Sequence, residues 1–296
     1  MRVKFSWQKG ITQGITVRRF LRDRGLSHRI LSRINHHEGQ VRVNGRKVRL
    51  QAVVDEPATV TVMLPPEYPD ENVPPSKGPL SIIASDDNWM VINKPAGLTS
   101  VPGPHDRVDT LVNRIKGYLM QQDARDLVPH VITRLDRFTS GVTLVARHRV
   151  AQGLINPQVE QHTLRKEYLA VVQGILPNDH GFFDGPLERQ PGTSRQRVSA
   201  TGKPARTEYW VITRFSAATQ VRVRLHTGRT HQIRAHFATA GYPLLGDELY
   251  GGSTALIGRQ ALHAYTLGFT DPFTGQAVTY RAPVPVDFQD LVTILQ

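Results

Sequence analysis

The chain has 296 residues, 39% of them hydrophobic, 21% charged and none of them cysteine. That length allows one large domain or two smaller ones with a buried core. The lack of cysteine excludes disulfides, thiolate catalysis and cysteine-ligated metals, and fits a reducing compartment.

The net charge of +12 is unevenly placed: residues 1–64 hold thirteen Lys and Arg against four Asp and Glu, leaving only +3 for the rest. So concentrated an excess favours a nucleic-acid partner over an ordinary solvated basic face. The start of the chain lacks the apolar stretch of a signal peptide, and no apolar run is long enough to cross a bilayer. A cytoplasmic monomer with no membrane partner is expected.

In chain order, Thr16 is placed to cap a helix carrying Val17, Phe20 and Leu21 on one face, with Gly25 as its stop. Ser27 is placed to cap a second helix with Ile30, Leu31 and Ile34 inward. The opposite faces present Arg18, Arg19, Arg22, Arg29 and Arg33. Asn44-Gly45 then joins the alternating stretches Val41–Val43 and Val48–Leu50, a strong hairpin signal, and adds Arg42, Arg46 and Lys47. Arginines on helical faces beside a basic hairpin suit phosphate contacts, which position RNA without reading its sequence. Residues 65–79 are proline-rich and nearly devoid of apolar side chains, which predicts a semi-stiff, extended linker that lets the basic module swing.

The body, residues 80–296, shows short apolar strands at Leu80–Ala84, Trp89–Ile92, Val142–Ala146, Tyr168–Val172, Glu208–Thr213 and Val221–Leu225. Helical patterns fall at Leu111–Met120 and Thr230–Ala240. Strands outnumber helices without regular alternation, so an α+β fold with a mixed, largely antiparallel sheet is expected.

Asp136 is the most informative residue. It lies in Thr133-Arg134-Leu135-Asp136-Arg137, followed by Thr139-Ser140-Gly141 and the strand Val142–Ala146. A carboxylate on a loop at a strand mouth is held rigidly yet stays within reach of substrate. Flanking arginines favour its charged form, and a positioned carboxylate can attack a sugar carbon or take a proton from one. An isolated Arg-Leu-Asp would more often be a surface salt bridge; the segments below reverse those odds.

The run resembles the RluA family of RNA pseudouridine synthases, with Thr133 standing where the family has histidine and His130 three residues earlier. Asn93-Lys94-Pro95-Ala96-Gly97-Leu98 resembles that family's turn; by itself it reads as a structural Pro-Gly turn, with Lys94 as a candidate phosphate contact. Lys166-Glu167-Tyr168-Leu169-Ala170 matches its Lys-x-Tyr-x-Ala motif, where the tyrosine packs on the flipped uracil and assists proton removal at C5. Leu225-His226-Thr227-Gly228-Arg229-Thr230-His231-Gln232-Ile233-Arg234 matches a further motif. The resemblance implies that Arg234 pairs with Asp136, for which a bidentate guanidinium is well suited.

Thr230 is read as the opening of the helix that carries Arg234. Two later segments, Gly241–Gly251 and Leu262-His263-Ala264, are read as scaffold, with lining of the uracil pocket as the functional alternative. The basic module resembles the RNA-binding domain of ribosomal small-subunit protein four.

These matches imply a pseudouridine synthase fold and an isomerase that needs no cofactor. Asp136, Tyr168 and Arg234 are the expected catalytic residues. Arg134, Arg137, Thr139, Lys94, Arg229, His231 and Gln232 are the expected substrate contacts. Large-subunit ribosomal RNA is the favoured target and transfer RNA the second.

His231 and His236 are five apart, a poor helical spacing for chelation, so no metal is expected. Three rivals weigh less. A glycoside hydrolase needs a second placed carboxylate, a binding-only module would not need Asp136, and a DNA binder would need a recognition helix.

Overall fold

A computed structural model describes residues 4–10, 14–36, 39–64, 67–104, 106–124 and 126–296. The basic segment comprises β1 (Lys4–Lys9), α1 (Val17–Arg22), α2 (His28–Asn35), the hairpin β2 (Gln40–Val43) and β3 (Arg46–Val48), and β4 (Ala58–Met63). Both caps form as expected: Thr16 Oγ1 accepts from the Arg19 amide and Ser27 Oγ from the Ile30 amide. The strands pair in the order β1-β4-β2-β3. Long-range pairing recruits β1 and β4, two strands that were not anticipated.

Val17, Phe20, Leu21, Ile30, Leu31 and Ile34 pack with Val41, Val60 and Val62 into one apolar core. Arg19, Arg22, Arg29, Arg42, Arg46 and Lys47 are exposed, whereas Arg18 and Arg33 are half-buried.

The body is built on a ten-stranded sheet. In chain order its elements begin with β5 (Ile82–Ser85), β6 (Trp89–Lys94), α3 (Leu111–Gln121), β7 (Ser140–Ala146), α4 (Arg149–Glu160) and β8 (Arg165–Gln173). They continue with β9 (His180–Asp184), β10 (Arg206–Arg214), β11 (Ala218–Leu225), α5 (Gln232–Thr239), β12 (Leu262–Thr270), β13 (Ala277–Arg281) and α6 (Val286–Leu295). The sheet runs β9-β10-β11-β8-β12-β7-β6-β5, with β13 on β12 and the short strand His130–Val131 on β7.

All named pairings are antiparallel except β7 with β12, which touch in parallel at Ser140–His263 and Gly141–Ala264. The expected mixed, largely antiparallel α+β core is therefore the one observed. Helices cover both faces: α3 packs on Met90, Ile92 and Val145, and α6 on Val171 and Ala218. Ala151 and Ile155 of α4 and Ile233 and Phe237 of α5 enter the central core. Among the described residues no helix is long and apolar enough to cross a membrane.

The expected linker needs correction. Its first two residues, Pro65 and Pro66, lie outside the described set, but residues 67–79 are fastened to the body rather than extended into solvent. Glu67 accepts from the Arg149 amide (2.7 Å) and its other carboxylate oxygen lies 2.9 Å from His130 Nε2. Asn113 Nδ2 donates to the Pro74 carbonyl (2.7 Å), and the Ser76 amide donates to Asn113 O (2.9 Å).

The basic segment is not loose either. Phe5 stacks on Phe273 at 5.5 Å and meets His148 at 5.2 Å, while Val150 of α4 enters the basic segment's core.

Candidate active site

Asp136 sits in a turn closed by the Thr139 amide donating to its carbonyl (3.1 Å). The residues on either side are pinned to the turn that follows β6. Ser100 Oγ donates to the Leu135 carbonyl (2.7 Å) and accepts from the Leu135 amide (3.1 Å). The Gly97 amide donates to Arg137 O (2.9 Å), and Arg137 Nε donates to Gly97 O (3.1 Å).

Behind the loop, Ser140 Oγ lies 2.9 Å from His263 Nδ1 on β12. Gly141 adopts φ +119, and a Cβ there would sit 2.2 Å from the Ala264 carbonyl oxygen. Only glycine lets β7 approach β12 this closely. Burial holds the His263 imidazole at about 4, so it packs neutral beneath the loop.

Arg234 reaches the site from α5 and is 6% exposed. Its Nη1 donates to Asp136 Oδ2 at 3.1 Å. The bidentate face expected for Asp136 goes elsewhere: Nε and Nη2 donate to Asp247 Oδ2 and Oδ1 at 2.7 and 2.9 Å. Burial works against the Arg234 charge, but the hydrogen bonds and charge of Asp247, with those of Asp136, outweigh it and raise its pKa. Asp247 is 1% exposed and both its oxygens are taken by Arg234, so it offers no second carboxylate to a substrate.

Asp247 and Tyr250 come from the segment read as scaffold. Tyr250 places its ring 5.0 Å from the Arg234 guanidinium, and its hydroxyl lies 3.2 Å from His231 Nδ1. The Gly-Asp-x-x-Tyr-Gly pattern was the only sequence signal for either residue.

In front of Arg234 the Asp136 loop opens on a cavity of about 630 Å³, which Asp247 and Tyr250 do not line. Asp136, Tyr168, Arg234, Arg134, Arg137, Arg229 and His231 are all on its wall, as are Thr139 and Gln232. Asp136 is its only acidic residue among the described residues, against five Lys and Arg. Tyr168 projects from β8 and is 8% exposed. Burial, and then the Asp136 charge, push its phenol pKa up, so it keeps its proton. His231 Nε2 is 3.8 Å from Asp136 Oδ2, and burial lowers its pKa despite that carboxylate.

Three expected substrate contacts serve the scaffold instead. Lys94 is fully buried and does not line the cavity. Its Nζ donates to the carbonyls of Pro95 (2.9 Å), Leu98 (2.8 Å) and Arg137 (3.1 Å). Burial draws its pKa down to about 7. The expected phosphate contact is thus corrected to an internal tie between the turn and the Asp136 loop.

Thr139 is 2% exposed, and its hydroxyl accepts from Gln260. Gln232, 2% exposed, spends its amide on Thr227, Arg229, Arg206 and Thr207. In both cases the polar atoms are already occupied.

One further correction concerns position. Thr230 lies outside α5, which begins at Gln232 after His231 in a left-handed conformation (φ 52). His130, three residues before Thr133, has its ring paired with Glu67. Thr133 instead accepts from the Leu144 amide at 2.9 Å, closing the strand behind the loop. His236 is remote from His231 in role: its ring nitrogens face Thr207 Oγ1 and Gly185 O, both at 2.8 Å.

Residues 88–239 match the RNA pseudouridylate synthase family. The chain is 36% identical over 279 residues to the "Uncharacterized RNA pseudouridine synthase YjbO" of Bacillus subtilis, covering 94% of this chain and 98% of that one. It is 39% identical over 275 residues to the "Ribosomal large subunit pseudouridine synthase D" of Xylella fastidiosa, covering 87% and 82%. In fold it is similar to "Human RNA Pseudouridylate Synthase Domain Containing 4", with TM-score 0.61, 21% identity and coverage of 73% and 92%.

Proposed function

This chain belongs to the RNA pseudouridylate synthase family and is an RNA pseudouridine synthase, and we propose that Asp136 is the carboxylate that acts on its target uridine. The observation that carries this reading is the cavity wall: one carboxylate, held by Arg234 at 3.1 Å, among five Lys and Arg.

The isomerisation breaks the bond between uracil N1 and C1′, turns the base, and joins C5 to C1′; the proton lost from C5 is balanced by one gained at N1. Asp136 acts on the sugar, by attack at C1′ or by removing the 2′ proton. Both routes need a charged, fixed carboxylate, and a guanidinium beside it supports that state.

A uridine within structured RNA is flipped to reach the cavity, at a cost of about a few kcal/mol. Stacking on Tyr168 offsets roughly 1–3 kcal/mol of it. Because Tyr168 keeps its proton, its part is packing and orientation rather than service as a phenolate base.

We assign the target to large-subunit ribosomal RNA, supported by the named activity of the Xylella fastidiosa relative. The division into a module at 1–64, a connecting segment at 65–79 and a catalytic domain at 80–296 belongs to the same reading. So do the likeness of the module to the domain of ribosomal small-subunit protein four and its action as a phosphate-binding handle. The exposed residues Arg19, Arg22, Arg29, Arg42, Arg46 and Lys47 support the handle. The enzyme works as a cytoplasmic monomer in this account.

Asp136→Asn should bind RNA with wild-type affinity but release no tritium from C5-labelled uridine in a single-turnover assay. Substantial turnover by that variant overturns the assignment. Pseudouridine mapping in a deletion strain tests the target: an unchanged large-subunit RNA excludes it.

A further inference from the structure

Beyond Asp136 and its partners, the cavity wall carries a second group of basic side chains that the chemistry above does not use. Lys166 lies two residues before Tyr168 on β8, and both line the cavity; the pairing with β12 shifts between Glu167 and Tyr168, but the extra residue, Tyr265, lies on β12, so β8 keeps its alternation. Lys166 and Tyr168 therefore share a face, roughly 7 Å apart along the strand. Such a separation suits a base on the tyrosine and a backbone phosphate on the lysine.

The Lys166 side chain is half-buried, and among the described residues it has no carboxylate partner. Burial lowers its pKa, the signature of an ammonium that has lost water without gaining an anion. Its neighbour across the wall is Gly228, where a Cβ would stand 3.2 Å from Lys166 Nζ.

Arg229 follows Gly228. It anchors Nε on the Pro204 carbonyl at 3.0 Å, and its terminal nitrogens make no bond to a described residue. His162 lies on the same wall with a left-handed backbone, φ 56. Only four described non-glycine residues have positive φ, and two of them, His162 and His231, line this cavity. Such conformations are uncommon and concentrate at functional sites. Burial, and then the charges of Lys166 and Arg229, lower the His162 pKa, so His162 feels both cations across the same wall.

We propose that Lys166, Arg229 and His162 form a phosphodiester subsite that grips the RNA backbone beside the everted uridine. Lys166 and the free end of Arg229 supply charge, the His162 ring supplies a hydrogen bond, and Gly228 leaves the room the phosphate and ammonium share. The three residues come from the end of α4, from β8 and from the β11–α5 turn, so only the closed sheet brings them together. The subsite rests on the catalytic reading of the same cavity.

The test is steady-state tritium release from C5-labelled RNA across a salt series, for wild type, Lys166→Ala, Lys166→Arg and Gly228→Ala. Lys166→Ala should raise KM by roughly three- to tenfold, with the loss falling on KM rather than kcat, and should lower the slope of log affinity against log salt by about one. Lys166→Arg should restore most of the affinity. Gly228→Ala, which keeps the lysine but crowds its ammonium, should raise KM in the same direction.

An unchanged KM and salt slope in Lys166→Ala, or a loss confined to kcat, overturns the subsite. Failure of the underlying reading looks different: Asp136→Asn would then release tritium, whatever the behaviour of the Lys166 variants.

Discussion

Arg234 makes three hydrogen bonds to two carboxylates, and their division explains why the residue is an arginine. The fork closes on Asp247 at 2.7 and 2.9 Å and fixes the guanidinium plane, which leaves Nη1 aimed at Asp136. Lysine has no such plane and cannot serve both partners with fixed geometry. Because Asp247 is 1% exposed, removing it leaves a buried guanidinium without its main counter-ion. Asp247→Ala should therefore cost about 3–5 kcal/mol of stability in urea unfolding. It should also slow single-turnover pseudouridine formation, because Asp136 loses a fixed partner. A variant with wild-type stability would show that the fork does not hold Arg234. The pairing of Arg234 with Asp136 was anticipated from motifs 98 residues apart. Asp247 was not, because nothing in its local pattern distinguishes a glycine-rich scaffold turn from a buried counter-ion.

At the level of elements, the Asp136 loop is held by neighbours rather than by its own conformation. Lys94 at the end of β6 donates to three carbonyls, one of them Arg137 O inside the loop. Lys94→Met removes this donor from the Pro95 and Leu98 carbonyls, while Arg137 O keeps the Gly97 amide, at about 1–3 kcal/mol for each carbonyl left unsatisfied, partly offset because the desolvated ammonium is gone. The expected result is a net loss of about 2 kcal/mol and faster hydrogen exchange at the Thr139 amide, which bonds to Asp136 O. Unchanged exchange would mean the loop is fixed independently of β6. The strands β6, β7, β8, β10 and β11 were legible because apolar runs bounded by turn residues carry the strand signal. The helix α4 was not: it is capped by His148, an unusual choice, and contains Pro157, which locally reads as a stop. The start of α5 was misplaced because His231 takes a left-handed conformation, which breaks the helix before Gln232.

Across the whole molecule, the basic segment is seated on the body through a small aromatic contact of Phe5, Phe273 and His148. His148 Nδ1 accepts from the Ala151 amide at 3.1 Å, a role open only to an unprotonated nitrogen. Burial, ahead of the nearby charges, holds the ring at about 4 rather than 6.5. The unfolded chain thus takes up a proton near 6.5 and the folded chain only near 4. The stability is complete above the higher value and is lost as pH falls toward the lower one. His263 beneath the Asp136 loop behaves in the same direction. The urea midpoint should fall between pH 7 and pH 5, with less of a fall in His148→Gln. Limited proteolysis near residues 65–79 should begin at the acidic end first. A midpoint flat across that range would show that neither imidazole is held neutral.

Much of this protein was decided locally. Two capped helices and an Asn-Gly hairpin, a strand-mouth aspartate, and the charge excess of the first 64 residues all follow from near-neighbour spacing and composition. What contacts across the chain decided was the state of each polar group: Lys94 buried as a brace, Arg234 shared between two aspartates, and the proline-rich segment fastened by Glu67 and Asn113. Side-chain identity sets which bonds a residue can make. Which bonds it does make depends on what the closed sheet brings within 3 Å and on how much water is left there.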